Sequence, residues 1–137
     1  MTKEINTIDY DVTITDAAKV MAADKNFGGY VIILKKGKPL GMITERDIVN
    51  EIIAKEIDPS KVNLTEIMST PLITIDPDED LLEASKLMRE NNIRKLVVMK
   101  SEIIYGVITA KDIAQQGNKY ITRAIRDVLR WTVPRFS

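Results

Sequence analysis

Gly41–Ile48 reads GMITERDI, and sixty-five residues further on Gly106–Ile113 reads GVITAKDI, with five of the eight positions identical. The likeness extends in both directions. Ala17 aligns with Ala84, Met21 with Met88 and Thr7–Ile8 with Thr74–Ile75 at an offset of 67, whereas Val31–Leu34 aligns with Leu96–Met99 at an offset of 65. The first copy therefore carries two extra residues, placed near Gly28 and Gly29. Such a repeat restricts the chain to an architecture of two like halves. A unit of about 60 residues buries only about 60% of the surface its unfolded chain exposes, so neither half is expected to stand alone. Packing the two sheets of the 137-residue chain together resolves that shortage.

Each copy presents the same order of elements. A short β-branched piece comes first, Ile5–Ile8 or Leu72–Ile75. A helix follows: Asp80-Leu81-Leu82-Glu83 has the spacing of an N-cap with an acidic residue three positions on, and Leu81, Ala84, Leu87 and Met88 recur at helical intervals. Thr13-Ile14-Thr15-Asp16 holds the corresponding place in the first copy. Propensity alone favours a strand there, and the aligned copy favours a helix start. A pair of strands is next, Tyr30–Leu34 and Leu40–Thr44 around the turn Lys35-Lys36-Gly37-Lys38-Pro39, matched by Lys95–Met99 and Ile104–Thr109. The continuous apolar runs VIIL and LVVM suit sheets covered by helices on at least one face. A closing helix begins after each Thr, with Ile48, Val49, Ile52 and Ile53 on the first.

The expected organisation is a first unit over 1–60, a second over 61–118 with a connector at 57–71, and a C-terminal segment over 119–137. Asp58-Pro59-Ser60 and Ser69-Thr70-Pro71 mark the connector. The fold class is α+β, an α/β sandwich-like pairing of two units plus a C-terminal helix.

Composition narrows the chemistry. Twenty basic residues balance twenty acidic ones, so no global field points to nucleic acid, an anionic membrane or acidic substrates. The absence of Cys removes disulfides, thiolate metal sites and thiol nucleophiles, and the absence of His removes the most common metal ligand and the usual general base near neutral pH. No apolar run approaches the roughly 20 residues needed to span a bilayer, and the Lys3-Glu4 start lacks a signal-peptide core. These features point to a soluble, cytoplasmic, non-enzymatic protein without a metal, an obligatory cofactor or a membrane partner.

The two Gly-x-Ile-Thr-x-x-Asp segments, the IRKLVV stretch (Ile93–Val98) and Thr65-Glu66-Ile67-Met68 ahead of the second copy resemble the tandem cystathionine-β-synthase (CBS) domain pair, or Bateman module. The resemblance runs from about Ile5 to Gln116. It implies a β-α-β-β-α unit, pairing of two units through their sheets about a pseudo-twofold axis, frequent homodimerisation into a flat disc, and binding of adenosine-containing ligands in clefts between units. Two departures stand out. Neither Val31 nor Val97 is the Pro that the family often places in that strand, and the chain begins at the position matching Met68, so the first unit is expected to lack a lead-in segment.

Thr-x-x-Asp has two readings. It is a helix-start signature, in which the Thr hydroxyl accepts from the N3 amide and the acid suits the positive helix end. It is also a set of ligand handles, since a carboxylate accepts hydrogen bonds from a ribose diol and a Thr hydroxyl can reach sugar or phosphate. Repetition and the resemblance together favour the second.

By the resemblance, one site combines Thr44, Arg46 and Asp47 with Met68, Ile73, Ile93, Arg94 and Lys95. Ile73 and Ile93 would flank an adenine, Asp47 would hold the ribose, and Arg94 with Lys95 would neutralise phosphate. The other combines Thr109, Lys111 and Asp112 with Asn6, Gly28, Gly29 and Tyr30. Gly29 stands where Arg94 stands in the other copy, so this second site is expected to be weaker or to prefer ligands with fewer phosphates. Tyr30 either stacks on a base or packs at a sheet edge.

Tyr120–Trp131 reads as an amphipathic helix, with Ile121, Ala124, Ile125 and Val128 on one side and Arg123, Arg126 and Arg130 on another. From Lys119 onward five basic residues face one acidic residue. The bland reading is a helix docked by its apolar side; the sharper one is a surface for nucleic acid or an acidic partner.

The leading expectation is a regulatory module that senses AMP, ADP, ATP or S-adenosylmethionine and transmits occupancy to an unidentified effector protein. The rivals are a structural dimerisation scaffold with empty clefts and a nucleic-acid binder acting through the arginine tail.

Overall fold

The computed structural model describes residues 5–25 and 28–116. Within that range the chain forms two compact units, residues 5–73 and residues 74–116. The expected C-terminal helix and tail, 119–137, lies outside the described residues.

The repeat read from the sequence reappears in the strand ladders. In the first unit, β1 (Thr7–Asp9) runs parallel to β2 (Tyr30–Lys35), with Thr7 opposite Ile32 and Ile8 opposite Ile33. In the second, β4 (Thr74–Ile75) runs parallel to β5 (Lys95–Lys100), with Thr74 opposite Val97 and Ile75 opposite Val98. Both partners of each pair are displaced by the same offsets, 67 and 65, as the sequence alignment. Antiparallel strands complete each sheet, β3 (Lys38–Thr44) beside β2 and β6 (Ile103–Thr109) beside β5. Even the irregularity repeats: a bulge interrupts the register at Ile33/Leu34 and again at Val98/Met99. The class is mixed α+β, with one three-stranded sheet per unit among the described residues.

The hairpin turns are tighter than the five-residue turn expected from the sequence. Lys36 and Gly37 (φ 52° and 77°) close the first, and Ser101 and Glu102 (φ 53° and 66°) close the second. Two successive left-handed residues make the mirror-image turn whose twist matches paired strands, so pairing extends to Lys35/Lys38 and Lys100/Ile103.

Burial decides the ambiguous stretch around Thr13-Ile14-Thr15-Asp16. Thr13 caps α1 (Ile14–Ala23), accepting the Asp16 N–H at 3.4 Å, while Asp16 Oδ2 accepts the Thr13 N–H at 3.0 Å. Ile14, Ala17 and Met21 then fall on one helical face and pack with Val31, Ile33 and Ile43 in the first unit's core. A cap contributing about 1 kcal/mol and a buried stripe outweigh the small β preference of Val, Ile and Thr. In the second unit Asp80 caps α3 (Leu81–Asn91), accepting the Glu83 N–H at 2.9 Å. Six residues, 24–29, separate α1 from β2 and three, 92–94, separate α3 from β5; because α3 is one residue longer than α1, the net difference is the two extra residues of the first copy.

The first closing helix departs from expectation. After one α-helical turn, α2 (Glu45–Ile48), the chain widens into a π-helical turn over Val49–Ile53, with Ala54 N donating to Val49 O at 2.9 Å. The wider turn splits the expected apolar stripe. Ile52 is fully buried and Ile48 half-buried, whereas Val49 and Ile53 are 54% and 63% exposed. The second closing helix is α4 (Ala110–Gln116).

The connector is part of the first unit's core. It makes two short 3-10 turns, Pro59–Lys61 and Leu64–Glu66, and buries Leu64 completely beside Ile14, Ile43 and Ile52. Ile14 N donates to Val62 O at 3.2 Å, and Met42 exchanges two main-chain bonds with Ser69 at 3.0 and 2.9 Å. Gly41 permits that approach, since a β-carbon there would lie 2.7 Å from Ser69 O and 2.9 Å from Met68 Sδ. The first glycine of the repeated motif therefore has a packing reason.

No helix among the described residues is long and apolar enough to cross a membrane.

Candidate functional site

Each strand-to-helix joint is tied by its own Thr and Asp. At the first, Thr44 N–H donates to Asp47 Oδ2 at 2.8 Å, the Thr44 hydroxyl lies 3.1 Å from the same oxygen, and Asp47 N–H donates back to Thr44 Oγ1 at 3.3 Å. At the second, Thr109 N–H reaches Asp112 Oδ2 at 2.9 Å and Asp112 N–H reaches Thr109 Oγ1 at 3.0 Å. Thr13 and Asp16 repeat the arrangement at the head of α1. The capping reading is thus realised at both motifs and at a third place that belongs to neither ligand set.

Capping does not exhaust the carboxylates. It engages Oδ2 alone, and Oδ1 of Asp47 and of Asp112 has no hydrogen-bond partner among the described residues. One free carboxylate oxygen carries two lone pairs, enough to accept both hydroxyls of a diol. The hydroxyls differ between copies. Thr44 donates its proton to Asp47 and is left as an acceptor, whereas the Thr109 hydroxyl makes no such donation among the described residues.

The remaining residues are held by the start of each central strand. Of the Asp47 set, Thr44, Arg46, Asp47, Met68 and Ile73 lie in the first unit, and Ile93, Arg94 and Lys95 in the second. Of the Asp112 set, Asn6, Gly28, Gly29 and Tyr30 lie in the first unit, and Thr109, Lys111 and Asp112 in the second. In the second unit Ala110 N donates to Arg94 O at 2.8 Å and Lys95 pairs with Thr109, so the basic strand start abuts the Thr-x-x-Asp joint. Arg94 is exposed and its guanidinium has no ion pair among the described residues. Arg46 and Lys111 are likewise exposed, and Ile73 and Ile93 are half-buried. Met68 packs on the first unit's core beside Gly41.

The first unit builds the matching place from different chemistry. Glu45 N donates to Gly29 O at 3.0 Å, the counterpart of the Ala110–Arg94 bond, and Tyr30 pairs with Thr44. Gly29 has φ +63°, which only glycine adopts without strain, and the Glu45 carboxyl carbon lies 3.0 Å from the point where a β-carbon would project. Asn6 is committed to structure: its amide donates to Asp24 Oδ2 at 2.8 Å and to Tyr30 O at 3.3 Å, and Gly28 N donates to the same Asp24 oxygen at 3.0 Å. Tyr30 is 3% exposed, packed at the strand start with its hydroxyl accepting the Asn6 N–H at 3.4 Å. Burial pushes its hydroxyl pKa up. Of the two roles open to Tyr30, edge packing is the one this geometry accommodates.

Glu45 is absent from the residues singled out by sequence. Its signal was present in the motif itself, because Glu45 against Ala110 is the one difference between GMITERDI and GVITAKDI that changes charge. No group of three or more Asp or Glu among the described residues could hold a metal ion.

The family model described as "CBS domain" matches residues 1–54 and 64–117. The chain is similar to protein MK0525 of Methanopyrus kandleri, at 34% identity over 78% of this chain and 55% of that protein. It is similar to the CBS domain-containing protein YhcV of Bacillus subtilis, at 29% identity over 93% of this chain and 91% of that protein. Among solved structures it resembles the CBS domain protein PAE2072 from Pyrobaculum aerophilum complexed with AMP. The TM-score there is 0.76 and the identity 25%, covering 95% of this chain and 94% of that one. The chain thus spans about half the length of the first of these relatives and nearly all of the other two.

Proposed function

The chain belongs to the CBS domain family, and from that premise we propose that it is a regulatory module whose ligand is an adenosine compound: AMP, ADP, ATP or S-adenosylmethionine. The observation that carries this reading is the spare carboxylate oxygen at both repeated joints, Asp47 and Asp112, in a fold whose PAE2072 relative forms a complex with AMP. Asp47 Oδ1 accepts the ribose hydroxyls, Ile73 and Ile93 flank the adenine, and Arg94 and Lys95 meet phosphate, with Thr44, Arg46 and Met68 completing the set. The guanidinium offers a bidentate fork to phosphate oxygens. The Asp112 set, with Asn6, Gly28, Gly29, Tyr30, Thr109 and Lys111, takes ligands of lower negative charge. No catalytic step is assigned to either.

Occupancy acts on a partner protein by favouring one arrangement of the homodimer over another, which a ligand achieves only by binding that arrangement more tightly. A thermal melt with each of the four compounds tests the reading. Ligand at a hundred times its Kd adds about 2.7 kcal/mol of stability. An unchanged melt with all four at millimolar concentration rejects sensing and leaves a dimerisation scaffold.

A further inference from the structure

We propose that Glu45 is a charge-selectivity element: it sets the strand start of the first unit against phosphate, so that the Asp112 set takes uncharged or cationic adenosine compounds while polyphosphates are held at Arg94. The inference deepens the adenosine reading above and rests on it.

The argument starts from two equivalent main-chain bonds. Glu45 N to Gly29 O, 3.0 Å, and Ala110 N to Arg94 O, 2.8 Å, join residues that are sixty-five positions apart at both ends. The four residues therefore occupy two matched stations, one on the loop that enters the central strand and one on the first residue of the closing helix. The second unit fills them with a cation and a methyl group. The first fills them with a hydrogen atom and a carboxylate, reversing the sign of the charge.

Glu45 is well placed to act in this way. Its carboxyl atoms lie 3.0 to 3.3 Å from the projected β-carbon of Gly29, so they fill the space that a side chain at position 29 would enter. The residue is exposed, and among the described residues its carboxylate has no hydrogen bond or ion pair to neutralise its charge. Gly29 itself sits at φ +63°, where a replacement cation is strained. Like charges facing each other discriminate strongly between ligands that differ only in phosphate number, whereas a neutral nucleoside is indifferent to the carboxylate.

Calorimetric titration of the full chain with adenosine, AMP and ATP tests this, using wild type, Glu45→Gln, Glu45→Ala and Ala110→Glu. Glu45→Gln keeps the volume and removes the charge, so it is the deciding variant. Expected is an ATP affinity at the weaker site raised about tenfold in both Glu45 variants, with adenosine changed less than about twofold. Ala110→Glu, at an exposed position, is expected to loosen ATP at the stronger site by about the same factor and again spare adenosine. If ATP and adenosine still bind but Glu45→Gln leaves their affinity ratio unchanged, the selectivity role is overturned and the adenosine reading stands. A gain in Glu45→Ala alone also overturns it, because relief of bulk then explains the effect. If none of the three compounds binds wild type, the selectivity role falls, and the adenosine reading falls with it only when S-adenosylmethionine also fails to bind.

Discussion

Asp47 receives the Thr44 N–H on Oδ2 at 2.8 Å and leaves Oδ1 without a partner among the described residues. One carboxylate thus serves the backbone and remains an acceptor. Structure and ligand binding need not compete for the residue, because each uses a different oxygen. The same division holds at Asp112, so at both copies of the motif the cap leaves one carboxylate oxygen without a partner among the described residues, the acceptor that the proposed ligand role requires.

Asp47→Asn separates the two roles. Asparagine retains one oxygen for the Thr44 N–H and replaces the other with a donor, so the cap persists while the ligand acceptor is lost. The expected cost is about 1.5–3 kcal/mol of adenosine-ligand affinity, measured by titration calorimetry. Asp16→Asn, in the matching cap of α1, is the control and is expected to leave affinity untouched. A comparable loss in both variants would attribute the effect to the fold and not to contact.

Arg94→Ala distinguishes phosphate from sugar recognition. Removing a charged fork is expected to weaken ATP by about 1.5–3 kcal/mol and adenosine by much less. Equal losses for the two ligands would show that Arg94 does not touch phosphate.

Leu64→Ala tests whether the connector is core. Its side chain is fully buried among Ile14, Ile43 and Ile52, so truncation is expected to cost about 2–5 kcal/mol in urea denaturation. A loss below about 0.5 kcal/mol would mean that the connector acts only as a tether.

Of the two hairpin turns, Lys36-Gly37 and Ser101-Glu102, the first alone has glycine at a left-handed position. Gly37 occupies the second left-handed position of the first turn and Glu102 that of the second, at φ 66°. Glu102→Gly is expected to stabilise the chain by up to about 1 kcal/mol, and Gly37→Glu to destabilise it by a similar amount. Thermal melts of both variants check the pair, and shifts of the same sign would contradict the turn argument.

Asp16 and Tyr30 are two of the groups whose shifted pKa makes stability depend on pH. The Thr13 backbone N–H, and then its hydroxyl, hold the Asp16 carboxyl below its ordinary 3.8. Its contribution is therefore present above that pH and lost as pH falls through the lower folded value. Burial, the dominant cause, raises the Tyr30 hydroxyl above its ordinary 10.0, so its contribution is intact below pH 10 and is lost as pH rises through the higher folded value. In urea melts against pH, Asp16→Asn is expected to flatten the acid limb and Tyr30→Phe the alkaline limb. An unaltered limb in either variant rejects that assignment.

Much of this was legible because it is local. Asp80 and Glu83, or Thr13 and Asp16, sit three residues apart, and a cap needs nothing else nearby. Register was legible for a related reason: a repeated unit must reuse its strand pairing, and Thr7–Ile32 and Thr74–Val97 do so. The apolar stripe on the first closing helix was less secure, since a wider turn moved Val49 and Ile53 into solvent while keeping Ile52 inside. Nothing in the spacing of those residues encodes the width of the turn.

The sequence by itself determined that there are two like units, the order of their elements, the caps that start their helices and the acids at their joints, because these depend on residues close along the chain or on comparison of one copy with the other. Only the tertiary structure decided that Leu64 is core, that Gly41 yields to Ser69, and that Glu45 stands over Gly29 where its counterpart leaves Arg94 uncovered. Those outcomes arise where segments distant in sequence meet, and the available space and the neighbouring charge there are properties of the packed surfaces and of no single stretch of chain.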